Sequence, residues 1–128
     1  MKKLPLLLLF VFASFLATSQ EVAQQTVNKV LGVANYKEVV VGKDVQLVDV
    51  RTPDEYNAGK IDDAINIDYF DQDNFKKAFE KLDKNKPLFV YCRSGHRSHE
   101  SAVLLEKMGF KEIYDLEGGY IAWSSKNK

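Results

Sequence analysis

The sequence predicts an α/β domain with a central parallel sheet flanked by helices, and three observations carry that prediction. Short apolar runs alternate with stretches of helical periodicity along most of the chain, as in successive β-α-β units. The run at 45–50 leaves little polar surface, as expected of a parallel strand covered on both faces, and Leu88-Phe89-Val90 is a second apolar run. Between the second run and the helical pattern that follows it lies Cys92-Arg93-Ser94-Gly95-His96-Arg97-Ser98. This is a tight loop at the carboxyl end of a strand, where open α/β sheets place their ligands.

The elements follow in chain order. The apolar stretch at 27–33 supplies an edge strand, after a polar leader. The run at 36–41 is too short to fix a period and reads as helix or strand, with Gly42-Lys43-Asp44 as the turn after it. A strand at 45–50 is followed by Thr52 as N-cap, Pro53 in the first helical position and Glu55 completing a capping box. Gly59 ends that short helix, and a strand at 64–67 brings Asn66 and Asp68 to the sheet rim. Asp71 or Asp73 caps a helix reaching about Leu82, with Phe75, Ala78, Phe79 and Leu82 as one core-facing stripe. Pro87 opens the strand before Cys92, where a missing N–H is tolerated. A helix beginning at Arg97 or Ser98 packs Ala102, Val103, Leu105 and Met108 on the sheet, and Gly109 caps it. The last strand covers 112–116. Gly118-Gly119 turns the chain into a helical turn at 120–123, with Trp123 plugging the core.

The chain has 128 residues, enough for one domain with one core. Its N-terminus differs in character: Lys2 and Lys3 precede an apolar run at 6–16, and Ala17 and Ser19 put small residues at the minus-three and minus-one places of a signal-peptidase site. Residues 1–19 therefore read as a cleaved secretory signal, 20–34 as leader and edge strand, and 35–126 as the domain. The expected location is exported, periplasmic or secreted. An apolar run of about a dozen residues is short for a bilayer core of roughly 30 Å. No cysteine directly follows the run to take a lipid, so no stable membrane anchor is expected after cleavage. Cleavage removes two lysines and no acids, leaving 16 basic against 18 acidic side chains, a net charge of −2. That balance implies no nucleic-acid surface.

Cys92 is the only cysteine and has no partner within the chain. In an oxidising compartment an unpaired thiol is a liability unless it is used. A buried, inert cysteine is the bland alternative, and the loop argues against it. Loop N–H groups and the positive end of a helix dipole converge there, which favours a thiolate and cradles an anion. Gly95 supplies the positive φ that a ring of inward N–H groups needs. A nucleophile and an anion site in one short loop point to a thiolate attacking a small anionic substrate.

The loop resembles the active-site loop of the rhodanese family, Cys-x-x-Gly-x-Arg followed by Ser or Thr. The resemblance continues through Leu47-Val48-Asp49-Val50-Arg51-Thr52-Pro53-Asp54-Glu55-Tyr56, Gly59-Lys60-Ile61, Ala64-Ile65-Asn66-Ile67, Gly109-Phe110 and Leu116-Glu117-Gly118-Gly119-Tyr120-Ile121-Ala122-Trp123, in the family's order. It implies a three-layer rhodanese-like domain, favours a helix at 36–41, and implies sulfur transfer through a persulfide on Cys92. The donor would be thiosulfate, polysulfide or a related sulfur-containing anion; the acceptor, cyanide, a thiol or a redox protein. No metal or organic cofactor is implied.

Within that reading Cys92 is catalytic, and Arg93, Ser94, Gly95, His96, Arg97 and Ser98 bind substrate. Arg97 braces the ring or its anion, Arg93 steers anions at the mouth, and His96 fills a variable slot. Asp49 and Arg51 form a supporting pair. His96 and His99 with Cys92 lack a fourth metal ligand. Two other classes compete. Phosphatases sharing the rhodanese fold resemble this arrangement but use Cys-x5-Arg, one residue longer, so no useful phosphatase activity is expected. A non-catalytic binding or sulfur-carrier module acting with a redox partner is the other, although Cys92, Gly95 and Arg97 are all present. Asp62-Asp63 departs from the family's usual Pro-Gly, which alters that turn and its surface charge.

Overall fold

The structure, a computed structural model, describes residues 25–126 together with Lys2, Lys3 and Ser14. Most of the segment read as a signal lies outside the described residues. Ten elements alternate along the chain: β1 (Val27–Leu31), α1 (Val33–Val40), β2 (Gln46–Asp49), α2 (Pro53–Asn57), β3 (Ile65–Asn66), α3 (Gln72–Phe79), β4 (Leu88–Tyr91), α4 (His96–Lys107), β5 (Glu112–Leu116) and α5 (Gly119–Lys126). The five strands form one sheet in the order β1-β5-β4-β2-β3. Every pairing is parallel. The fold is thus the α/β, three-layer arrangement read from the sequence.

Successive strand residues point to opposite faces, and each face has its own core. On one, Val48, Val90, Cys92 and Ile113 meet Phe75 and Phe79 of α3 and Ala102 and Leu105 of α4. Phe79 sits 4.6 Å from Phe75 and 6.1 Å, edge-on, from Phe110 between ring centroids. Such pairs add to the roughly 25 cal/mol per Å² gained by burying apolar surface. On the other face Leu47, Phe89, Tyr91 and Leu116 meet Val33, Tyr36 and Val40 of α1, with Tyr120 and Trp123 of α5 half-buried at the rim. The Tyr36 hydroxyl donates to the Val90 carbonyl at 2.9 Å, and burial pushes its pKa up.

Several boundaries differ from the sequence expectation, each for a physical reason. The apolar stretch at 27–33 is cut at Gly32, the N-cap of α1, so Val33 opens a helix that runs to Val40. Helix α3 stops at Phe79, and Leu82 closes a turn by donating its N–H to the Phe79 carbonyl. Helix α4 starts at His96, because Gly95 itself is the N-cap. Val103 is exposed rather than core-facing; Ser98, Ser101, Ala102 and Leu105 form the buried stripe. Trp123 lies against the second core half-buried and does not plug it.

The Asp62-Asp63 turn has its own geometry. Asp62 has φ 46° and accepts the Gly42 N–H at 3.0 Å. Short polar Asp tolerates this left-handed conformation, whereas proline, held near −65°, cannot adopt it.

Candidate active site

The loop after β4 is shaped by what lies behind it. At the start of α5 the Tyr120 N–H donates to the Cys92 carbonyl at 2.7 Å, and the Ile121 N–H to the Arg93 carbonyl at 3.0 Å. With those carbonyls turned toward α5, the loop's N–H groups face the other way. Gly119 makes the approach possible: a Cβ there would lie 2.5 Å from the Cys92 oxygen and 2.6 Å from the Arg93 carbonyl carbon and oxygen.

Cys92 is 1% exposed. Its sulfur receives the Gly95 N–H at 3.1 Å and faces the Ser98 hydroxyl at 3.4 Å. Gly95 adopts φ 108° as the N-cap of α4, with no side-chain cap. The first N–H groups of that helix have no acceptor within it, so they are open to an anion on the sulfur. Arg93, Ser94 and His96 are exposed around the loop, and Ser98 is fully buried beneath it.

Arg97 leaves the ring for α2. Its guanidinium makes a bidentate pair with Glu55, at 2.7 and 3.0 Å, and stacks 5.2 Å from the ring centroid of exposed Phe70. The Arg97 hydrogen bonds, helped by Thr52 and opposed by burial, hold the Glu55 carboxyl at about 2. A lowered carboxyl pKa contributes stability that is present above its ordinary value near 4.5 and lost as pH falls toward 2. Glu55 also closes the capping box of α2, a role glutamine can fill. Glu55→Gln is therefore expected to cost about 1–2 kcal/mol at pH 7, after allowance for solvent screening. It should also flatten the fall in stability between pH 4.5 and 2. Denaturant unfolding at pH 7 and pH 3 measures both effects.

Asp49 and Arg51 form a buried pair beside the loop. Asp49 is 0% and Arg51 4% exposed, with contacts at 2.6 and 3.0 Å. Arg51 also donates to the Gly59 carbonyl at 2.6 Å and lies 4.2 Å from the Tyr120 ring centroid. Burial works against its charge, and Asp49 outweighs burial, raising the Arg51 pKa. Asn66 donates to the carbonyls of Asp49 and Arg51 at 3.0 and 2.8 Å. The pair thus locks β2, β3 and α5 together at the rim.

Three contributors escaped the sequence reading of the site: Glu55, Gly119 and Asp115. Asp115, on β5, is 2% exposed, and burial pushes its carboxyl up to about 6, against the pull of Ser98. A charged residue inside the apolar strand Ile113 to Leu116 was the available signal for it. Among the described residues no three His, Cys, Asp or Glu side chains gather into a metal-binding group.

The site is thus a parallel α/β domain's buried cysteine at the carboxyl end of a central strand, with the Gly95 N–H on its sulfur. Residues 32–126 match the rhodanese-like domain, and the chain belongs to that family. It is 34% identical over 99 residues to a thiosulfate sulfurtransferase GlpE of Shewanella oneidensis, covering 77% of this chain and 95% of that one. It is 37% identical over 86 residues to a tRNA uridine(34) hydroxylase of Pelagibacter ubique; the match takes 67% of this chain but only 29% of the relative's length. The fold superposes on the crystal structure of a rhodanese-related protein from Thermoplasma volcanium with a TM-score of 0.67 and 28% identity, covering 77% of this chain and 92% of that one.

Proposed function

We propose that the protein is an exported sulfurtransferase that carries sulfane sulfur as a persulfide on Cys92. The donor is thiosulfate or a related sulfur anion, and the acceptor is cyanide or a thiol. The observation that carries this reading is the Cys92 sulfur beneath the Gly95 N–H and the Ser98 hydroxyl, at the open start of α4. The GlpE relative named for this activity supports it, matching at nearly full length.

In the first half-reaction the Cys92 thiolate attacks the sulfane sulfur of thiosulfate. An S–S bond forms to Cys92, the bond to the sulfonate sulfur breaks, and its electron pair leaves with sulfite. The Gly95 N–H and the first N–H groups of α4 then hold the terminal persulfide anion, as preorganised donors hold an oxyanion. In the second half-reaction cyanide attacks that terminal sulfur, thiocyanate leaves, and the electron pair returns to Cys92.

Export rests on Lys2, Lys3, the apolar run and Ala17-Thr18-Ser19. Intact mass tests both parts. Protein recovered outside the cytoplasm should have the mass of a chain beginning at Gln20. Thiosulfate should add about 32 Da, one sulfur atom, and cyanide should remove it as thiocyanate. Absence of the protein outside the cytoplasm would refute export, a full-length mass there would refute cleavage after Ser19, and an unchanged mass after thiosulfate with Cys92 reduced would refute thiosulfate as donor.

A further inference from the structure

The side of α4 that begins at the sulfur-bearing loop continues away from it into a groove against α3. Arg97, Leu104 and the C-cap Met108 follow one another at helical spacing along that side. At its loop end Phe70, 65% exposed, stacks on the Arg97 guanidinium. The Phe70 ring lies 5.8 Å from that of Tyr69, which lies 6.2 Å from that of Phe75. Phe75 floors a cavity of about 220 Å³ walled by Gln72 and Lys76 of α3 and by Leu104, Lys107 and Met108. An apolar strip thus runs from the rim of the Cys92 site to this groove.

The free charges along the strip have one sign. Lys76 and Lys107 are exposed, as is Arg93 at the loop, and none of the three side chains has an ion pair or hydrogen bond among the described residues. The acids nearby are engaged or off the lining: Glu80 pairs with Lys84, Glu106 accepts from Asn28, and Asp73 and Glu100 do not line the cavity. An apolar hollow walled by two unpaired ammonium groups is complementary to a segment of interspersed apolar and acidic residues.

We propose that this groove docks an apolar and acidic segment of a protein acceptor, the segment that delivers the acceptor's thiol to the sulfur on Cys92. The proposal deepens the sulfurtransferase reading above and rests on it. Distance selects a macromolecule. From His96 to Leu104 the helix rises about 12 Å, so cyanide or a small thiol cannot touch both the sulfur and the groove, whereas about four extended residues span the gap. Burial acts in the same direction: with Cys92 only 1% exposed, the entering thiol makes few contacts of its own, and affinity for a protein has to come from beside the loop. In the transfer step the acceptor thiolate attacks the terminal sulfur of the Cys92 persulfide. An S–S bond forms on the acceptor, which becomes the persulfide, and the electron pair of the broken bond returns to Cys92 as thiolate.

The test uses the protein loaded with thiosulfate and two synthetic peptides. Each has one cysteine, set four residues before a stretch that alternates leucine with glutamate in one peptide and leucine with lysine in the other. Wild type should transfer sulfur to the glutamate peptide with a kcat/KM about tenfold above that for the lysine peptide, the scale of two exposed ion pairs together. Lys76→Glu combined with Lys107→Glu should reverse the preference. Phe70→Ala should lower the ratio of glutamate-peptide to cyanide kcat/KM by about tenfold. No preference in wild type, or a preference that survives the charge reversal, would overturn the proposal. So would a wild-type dimer in sedimentation that the double variant dissociates, because a second copy would then cover the groove. If thiosulfate adds no mass, the sulfurtransferase reading fails, and fluorescence anisotropy of a labelled glutamate peptide with serine in place of cysteine still decides the docking on the unloaded protein. Its Kd should rise by about tenfold in the double variant, and an equal Kd in both proteins would overturn the groove on its own.

Discussion

Cys92→Ser is expected to lower thiosulfate-to-cyanide sulfur transfer by at least about 10³-fold, the scale seen when a covalent nucleophile is removed from an otherwise intact site. The substitution replaces the sulfur by a smaller oxygen at a 1% exposed position, so the Gly95 N–H and the Ser98 hydroxyl still have an acceptor. What is lost is the nucleophile: a hydroxyl stays protonated at neutral pH, and the loop supplies no histidine within hydrogen-bond distance to act as its base. His96 and His99 are both exposed, and the sulfur's hydrogen bonds come from Gly95 and Ser98 instead. Thiocyanate release measures the rate, and circular dichroism during heating checks that the fold persists. Transfer above a tenth of the wild-type rate would mean that sulfur moves without a bond to Cys92. Aryl phosphate hydrolysis by the wild type, abolished in the same variant, would assign the loop to phosphate chemistry despite its Cys-x4-Arg length.

The parts of this site that are contiguous in the chain were legible in the sequence, and the parts that meet only through the sheet were not. Thr52-Pro53-Asp54-Glu55 announced the start of α2, because a capping box is a local device whose partners are three residues apart. The same Glu55 pairs with Arg97, 42 residues away, and no local pattern encodes that. The pairing follows from β2 lying next to β4 in the sheet, which brings the loops after both strands to one rim. Asp115 comes near the site for the same reason, since β5 borders β4 on the other side and pairs Asp115 with Val90, two residues before Cys92. Helix boundaries were misread where an apolar run hid a break. Val33 continues the run of β1 in composition, yet Gly32 ends the strand and caps α1. Val103 fits an apolar tally but lies off the stripe made by Ser98, Ala102 and Leu105, and two small polar residues, Ser98 and Ser101, are buried on that stripe.

Gly119→Ala is expected to produce the largest structural effect of any single methyl group near the site, because the sequence pair Gly118-Gly119 does more than turn the chain. Gly119 has φ 59°, a conformation that costs an L-residue about 1–2 kcal/mol. The added Cβ also meets backbone, 2.5 Å from the Cys92 oxygen and 2.6 Å from Arg93, and no rotamer change relieves a backbone overlap. Helix α5 must move away from the loop. That movement stretches the Tyr120 N–H to Cys92 and Ile121 N–H to Arg93 hydrogen bonds, now 2.7 and 3.0 Å, and leaves two loop carbonyls without their donors. The summed cost is about 3 kcal/mol or more. Displacing the nucleophile's own peptide by a fraction of an ångström to 1 Å should also lower sulfur transfer by up to about 10²-fold in the folded protein. Gly118→Ala separates the two effects. It also sits at positive φ, but its Cβ meets the Ala122 side chain at 2.7 Å, within α5, so it should lose stability while its folded fraction keeps most of its transfer rate. Urea unfolding and rates measured well below each midpoint compare the pair. Equal losses of transfer rate in both variants would show that α5 does not set the loop through Gly119.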